Sequence, residues 1–430
     1  MARRVYLHIG LMKTATSYIG QLCELNRDRL AAARVLWPAG DLRYQAIRDL
    51  FGRAAETDAP GAWRALNRQL REQQGDVIIC NELLAAVDDR RVRRLVGVLD
   101  PAEVHVVVTL RDLARVIPSH WQTTIKNGRT HEWSDFAAAV CMDSPDEYVA
   151  AEAETWAKDP PAGEDSPALR LNRWFWQRHD APAIVSRWQR FVPPERVTVV
   201  TVPPAGGDRE AVARRFGSVV GVDLLGLEQP ESWSNSSLGA HSAELMRRLN
   251  EDATDLDAAE RSYGFKHALG RSLVAGGQES EPRFALNPPQ QDWVSRRAHA
   301  MVRQLERSGV RVVGDLADLI PAPHPPSDAL DPAASSDPEL LQAASRGLIG
   351  MVRSFAELRS ELAAEAAAVS QLRAKSDRLQ QRVEAQRRRI DELARRLDPS
   401  PHARVPAWTR LRSRLASACL VRRVVTRLRG

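Results

Sequence analysis

Only five lysines, Lys13, Lys126, Lys158, Lys266 and Lys375, stand among the 61 basic residues of this chain. Where arginine is used almost everywhere, each lysine is a candidate for chemistry. Lys13 opens the run Lys13-Thr14-Ala15-Thr16-Ser17, which follows the apolar stretch RVYLHIG and precedes residues with helical spacing. A strand that empties into a helix exposes free backbone N–H groups at the positive end of the helix dipole, and that favours an anion. Thr14, Thr16 and Ser17 add hydroxyl donors and Lys13 adds a point charge, so a phosphate or a sulfate fits. The same run is also compatible with a Ser/Thr-capped helix whose lysine faces solvent. A nucleoside-triphosphate loop needs the lead GxxxxGK[ST]. Here Lys13 follows Gly10-Leu11-Met12, a loop too short to wrap a β-phosphate in that way.

The elements that must position this loop follow from the apolar pattern. Residues 4–10 predict a buried first strand, and Ile19, Leu22 and Leu25 predict a helix after the loop. Further strands are predicted at Asp76–Cys80, Val104–Leu110 and Arg196–Val202. Near-continuous β-branched runs separated by helical segments indicate an α/β fold, a parallel sheet covered on both faces. Ligand sites then belong at the carboxyl ends of the strands.

This domain is expected over residues 1–321, and the Pro-, Ser- and Asp-rich stretch 322–345 predicts a flexible linker. From Phe355 to Leu397 apolar residues recur in steps of three and four, interrupted by Glu365, Ser376 and Gln386. That pattern predicts a coiled coil over 346–399 and a homo-oligomer, a dimer or trimer, through residues 355–397. A long helix lying back on the domain is the alternative. The tail, 400–430, carries eight arginines and no acidic residue from His402 onward, interleaved with Leu and Val. It suits a basic amphipathic helix on an anionic membrane, or a solvated tail.

The net charge of +6 identifies no partner, because much of it lies in that tail, and no specific nucleic acid is expected. Cys23, Cys80, Cys141 and Cys419 form no CxxC pair, which suits a reducing compartment without structural zinc. The first apolar stretch is too short for a secretory signal and no 18-residue apolar run follows. A cytoplasmic protein, peripheral to the membrane if the tail binds it, is the expectation. No Asp-rich or His-rich cluster suggests a metal.

KTATS resembles the phosphosulfate loop K-[TS]-G-T-[TS] of sulfotransferases that use 3′-phosphoadenosine-5′-phosphosulfate (PAPS). It departs only at Ala15, where glycine is usual. The added methyl matters if that residue needs φ > 0 or very close ligand approach. The family's second signature sets an arginine at a strand end and a serine eight residues later, for the 3′-phosphate of the nucleotide. Here VHVVVTL ends in Arg111, and Ser119 lies eight residues on. On an ideal helix Arg111, Arg115 and Ser119 fall within about 80° of one another, with Pro118 expected to shift where the helix begins. Trp121-Gln122, Thr201–Pro203 and Asn235–Gly239 (NSSLG) match bacterial members too, so the similarity runs from residue 4 to about 321.

The resemblance implies a three-layer, P-loop-like sulfotransferase fold. It places the nucleotide against Lys13, Thr14, Ala15, Thr16, Ser17, Arg111 and Ser119. Asn235 and Ser237 join that set, although an Asn-capped helix start explains NSSLG equally well. The family's base sits on the strand between the two anion sites, which points to Glu82 in NELL; capping of the next helix, or pairing with an arginine, explains Glu82 as well. His120, beside Ser119, is the rival base, whereas His8 and His105 lie in strand-like runs and read as packed. The implied reaction moves a sulfuryl group from PAPS to a hydroxyl or amine, on a small molecule, carbohydrate or glycolipid, leaving 3′-phosphoadenosine-5′-phosphate (PAP) and using no metal. Trp121, Trp133, Trp174, Trp176 and Trp188 could line a glycan groove or fill the core. A nucleotide kinase or ATPase, and an inactive sulfotransferase-like head on a coiled-coil scaffold, are the competing readings.

Overall fold

Six parallel strands form one sheet in the order β2-β3-β1-β4-β5-β6: β1 Arg4–His8, β2 Val35–Leu36, β3 Asp76–Cys80, β4 Glu103–Leu110, β5 Val197–Thr201 and β6 Arg311–Val313. This computed structural model describes residues 2–53, 59–143, 166–208, 210–230, 237–277, 281–322 and 329–397. The four longer strands coincide with the apolar runs of the sequence. The short β2 and β6 escape that pattern, since two or three residues carry no period.

Leu7 pairs with Ile79 of β3 on one side and with Val106 of β4 on the other, so β1 is central. Alternate residues feed two cores. Leu7, Ile79, Val106 and Val199 pack on one face, and Tyr6, Ile78, Cys80, Val107 and Val200 on the other. Covering both faces is the reason the strands read as continuous apolar runs. All five tryptophans considered for a groove are buried, with Trp121 edge-on to Trp133 and to Phe284. They are core residues.

The expected domain end at 321 is corrected. Leu340 and Ala343 are buried, and Ser335 Oγ lies 2.9 Å from His241 Nδ1. Arg346 pairs with Glu281, whose buried carboxylate also accepts from Ser242 N at 2.9 Å and Ser242 Oγ at 2.7 Å. The compact unit therefore extends to Ser354, and residues 329–345 are packed structure rather than flexible linker. Pro332 does not loosen the chain there; it opens a 3-10 turn capped by Asp331. Residues 323–328 lie outside the described residues.

From Phe355 the chain forms a separate unit, within the helix Asp337–Leu397. Along its apolar seam Phe355, Leu362, Val369, Leu372, Leu379, Val383, Ile390 and Leu393 are 47–65% exposed. The expected tail over 400–430 lies outside the described residues. Among those described, no helix is long and apolar enough to cross a membrane.

Breaking a buried ion pair costs about 3–5 kcal/mol. Arg346→Ala is accordingly expected to lower unfolding free energy by that amount in denaturant titrations. An unchanged midpoint would show that residues beyond 329 do not belong to the unit.

Candidate active site

The strands β3, β1 and β4 end side by side, and each hands on a charged residue. Glu82 follows β3, Lys13 follows β1 and Arg111 directly follows β4. The chain builds β3 on one flank of β1 and returns for β4 on the other, so strand order reverses here. Open α/β sheets place ligands at such a point.

A buried polar chain ties the three ends together. Cys80 Sγ lies 3.1 Å from His8 Nδ1, and His8 Nε2 lies 3.0 Å from Thr109 Oγ1, which donates to the Gly10 carbonyl at 3.0 Å. One tautomer satisfies every member: the thiol donates to Nδ1 and Nε2–H donates to Thr109. Burial pushes the His8 imidazole down to about 3, so it stays neutral. His105 is tied to Glu103 at 3.1 Å.

The loop after β1 keeps pairing with β4, Leu11 N donating to the Thr109 carbonyl at 2.8 Å. Gly10 has φ +94°, and a Cβ there would come 3.1 Å from Glu82 Cβ, so glycine lets the loop lie against that residue. Lys13 and Ala15 are both left-handed, at φ 63° and 73°. This is the strained case that an alanine in place of glycine raised. Ala15 also caps the helix Thr16–Leu25 without an oxygen, leaving its first amides with no side-chain partner. The expected hydroxyl donors behave differently. Thr14 Oγ1 donates to the Leu11 carbonyl at 2.5 Å and Thr16 Oγ1 to the same oxygen at 3.1 Å, and Thr14 Oγ1 also lies 2.8 Å from Thr109 Oγ1, so the two bind the loop to itself and to β4. Amides, the exposed Ser17 and Lys13 remain for an anion.

Glu82 neither caps nor pairs. Asn81 caps the 3-10 turn Glu82–Ala86, accepting from Leu83 N at 3.1 Å, and Glu82 has no ion pair among the described residues. Burial raises the Glu82 carboxyl, opposed by Lys13 and Lys266. Burial lowers the Lys13 ammonium; Glu82 opposes this, while Arg111 and Lys266 add to it. Both groups are moved toward neutrality by burial; the raised carboxyl suits a proton acceptor, while the mutual attraction of Glu82 and Lys13 favours the charged form of each.

Arg111 is underused. Its Nη1 reaches the Lys13 carbonyl only at 3.5 Å, and its buried Nε has no partner among the described residues. Burial, with Arg115 adding and Asp112 opposing, pushes the guanidinium down to about 10. A buried unpaired donor costs about 1–3 kcal/mol, which an anion would offset. Arg115 is occupied, pairing with Asp112 and donating to the Pro203 carbonyl at 2.6 Å. The expected shared helical face is corrected: the helix is Leu113–Lys126, capped by Asp112, so Arg111 precedes it and Pro118 lies inside it. Ser119 is half-buried on that helix, its hydroxyl unpartnered among the described residues.

His120 is not placed as a base. It is 1% exposed, ringed by Phe136, Trp174 and Phe175, with Nδ1 2.9 Å from His179 Nε2. Gln122 of the Trp-Gln pair accepts from Leu238 N at 3.0 Å, joining that motif to NSSLG. Ser237 is exposed, Gly239 holds the cap position of the helix Ala240–Asp252, and Asn235 lies outside the described residues.

Sequence reasoning passed over Lys126 and Lys266. Lys126 ends the helix Leu113–Lys126, and Lys266 sits on a π-helical stretch, Ser262–Leu269, packed against it. Burial, then Lys13 and Lys266, push Lys126 down to about 8. The rarity of lysine was the signal that marked both as candidates. Among the described residues no three His, Cys, Asp or Glu side chains are grouped to hold a metal ion. No family model, curated protein or solved structure matches the chain.

A left-handed non-glycine residue costs about 1–2 kcal/mol, partly offset by the lower entropy of its unfolded chain. Ala15→Gly is therefore expected to raise unfolding free energy by about 0.5–1 kcal/mol. A loss of stability would mean that the loop is not strained at this residue.

Proposed function

We propose that this protein is a PAPS-dependent sulfotransferase. The observation that carries the reading is the delivery of Glu82, Lys13 and Arg111 from the ends of three adjacent parallel strands. The strand order sets Lys13 between the Glu82 carboxylate and Arg111, so two cationic sites lie on neighbouring strands, as a donor with an anion at both ends requires. The open helix amides, Ser17 and Lys13 hold the 5′-phosphosulfate; Arg111 and Ser119 hold the 3′-phosphate.

In the proposed reaction the acceptor oxygen or nitrogen attacks sulfur in line with the departing phosphate oxygen. The S–O bond to the 5′-phosphate breaks, PAP leaves, and Glu82 takes the proton of the acceptor. Lys13 neutralises charge growing on the bridging oxygen. Positioning and electrostatics do most of this work, by analogy with phosphoryl transfer. A sulfuryl group carries less charge than a phosphoryl group, so protein cations suffice and no metal step is invoked. The hydroxyl or amine acceptor is read as a sugar or glycolipid. This reading uses Thr14 and Thr16 as loop ties rather than ligands.

The exposed seam from Phe355 supports self-association through residues 355–397. Val369, Val383 and Ile390 fall, with Phe355, Leu362 and Ser376, at one core position of the heptad and Leu358, Leu372, Leu379 and Leu393 at the other, a distribution that favours two strands. The full-length chain is expected to run at twice its monomer mass in light scattering, and a monomer would contradict this.

PAP is expected to raise the melting temperature without magnesium, whereas a response to Mg-ATP alone would favour the kinase reading. With Glu82 as the base, kcat/KM rises with pH as the carboxylate loses its proton, through a pKa above the ordinary carboxylate value. The profile falls again at alkaline pH as Lys13 loses its proton below the ordinary lysine value. Glu82→Gln should lose the acid limb and turn over roughly 100-fold more slowly while still binding PAP. Unchanged turnover would remove Glu82 from the mechanism.

A further inference from the structure

The last element of the compact unit is residues 337–354, the start of the helix Asp337–Leu397, and it carries two faces. One face is docked. Leu340 and Ala343 are buried on it. A Cβ at Gly347 would come 2.7 Å from Leu269, and one at Gly350 would overlap Ser272, so the two glycines let the backbone lie directly on residues 269–273. Arg346 ties the same stretch to Glu281. The other face is bare and apolar. Leu341, Leu348 and Val352 are 62–70% exposed, and Ile349 beside them is exposed too. On an ideal helix the first three fall within about 40° of one another, centred about 140° from the docked residues. Among the described residues of this unit, Leu25 and Tyr263 are the other large apolar side chains left exposed, on two different elements.

A contiguous apolar stripe of this kind marks a docking surface. The spacing names its occupant. Counting back in sevens from Leu362 through Phe355 reaches Leu348 and then Leu341, so one core position of the heptad keeps its register from Leu397 to Leu341. The other core position falls at Met351 and Ala344, which are half-buried, and here Val352 widens the stripe in their place. A helix lying on an anionic membrane needs a basic face. Of the two basic residues in 337–354, Arg346 is paired with Glu281, and Arg353 alone does not supply one. We propose that Leu341, Leu348 and Val352 form a docking surface for the helix of a second copy of this chain. Resting on the self-association proposed above for residues 355–397, this surface brings the compact unit itself into the interface. The partner then bears on a stretch whose Arg346 holds Glu281, which in turn accepts from Ser242 in the first turn of the helix Ala240–Asp252.

The test introduces the photoreactive residue p-benzoylphenylalanine into the full-length protein in place of Leu348, Leu372 or Arg353, followed by irradiation and a denaturing gel. A covalent dimer is expected from position 348, as from 372 in the seam, and not from 353, which falls on the side of the helix away from the seam. Crosslinking from 372 without 348 overturns the proposal and leaves association through 355–397 standing. Crosslinking from neither position removes that association as well. Equal yields from 348 and 353 mark random contact and also overturn the proposal. Leu348→Ser supplies a second measurement on a side chain whose exposure in the compact unit lets the variant fold. Losing a leucine from both copies is expected to raise the dimer dissociation constant in sedimentation roughly ten-fold. An unchanged constant contradicts the proposal.

Discussion

The buried chain from Cys80 through His8 and Thr109 to the Gly10 carbonyl is the interaction on which the rest depends. It crosses three neighbouring strands two residues before Glu82, two before Arg111 and five before Lys13. Fully satisfied polar networks in a core are stiff, because any displaced member is left buried and unpaired. The stiffness is passed to Glu82, to the Lys13 loop and to Arg111, whose spacing must match a ligand none of them could shape alone.

Around that anchor the protein accepts local costs that a purely structural design would avoid. Ala15 and Lys13 hold left-handed backbone, and among the described residues Arg111 buries an unpartnered donor and the half-buried Glu82 carboxyl has neither cap nor ion pair. Such features cluster where binding or chemistry is performed, and an anion relieves several of them together. By contrast, Arg115, Asp112 and the His120–His179 pair are fully engaged, which separates support from site.

Much of this was legible in the sequence, for physical reasons that differ by element. The central strands were visible because both of their faces are buried. KTATS was visible because strand, loop and helix follow one another directly, and Arg111 because it ends the longest strand. The short edge strands β2 and β6 carried no period. The direction of the Thr14 and Thr16 hydroxyls depended on the Leu11 carbonyl, which only the folded loop brings within reach. Lys266 lies more than 250 residues from Lys13, and no local pattern links them. Composition alone marked it. The linker was misjudged because Pro-rich sequence also suits a segment strapped onto the domain, as residues 329–345 are.

The central claim is that the cations and Glu82 at these strand ends transfer a sulfuryl group. Incubating the full-length protein with sulfur-labelled PAPS and a cell extract, then separating the products, tests it most directly. Label is expected to move into a discrete acceptor with wild-type protein and to stay in the nucleotide with Lys13→Ala. Label that remains in PAPS, or appears only as free sulfate at the rate seen without protein, would contradict the account.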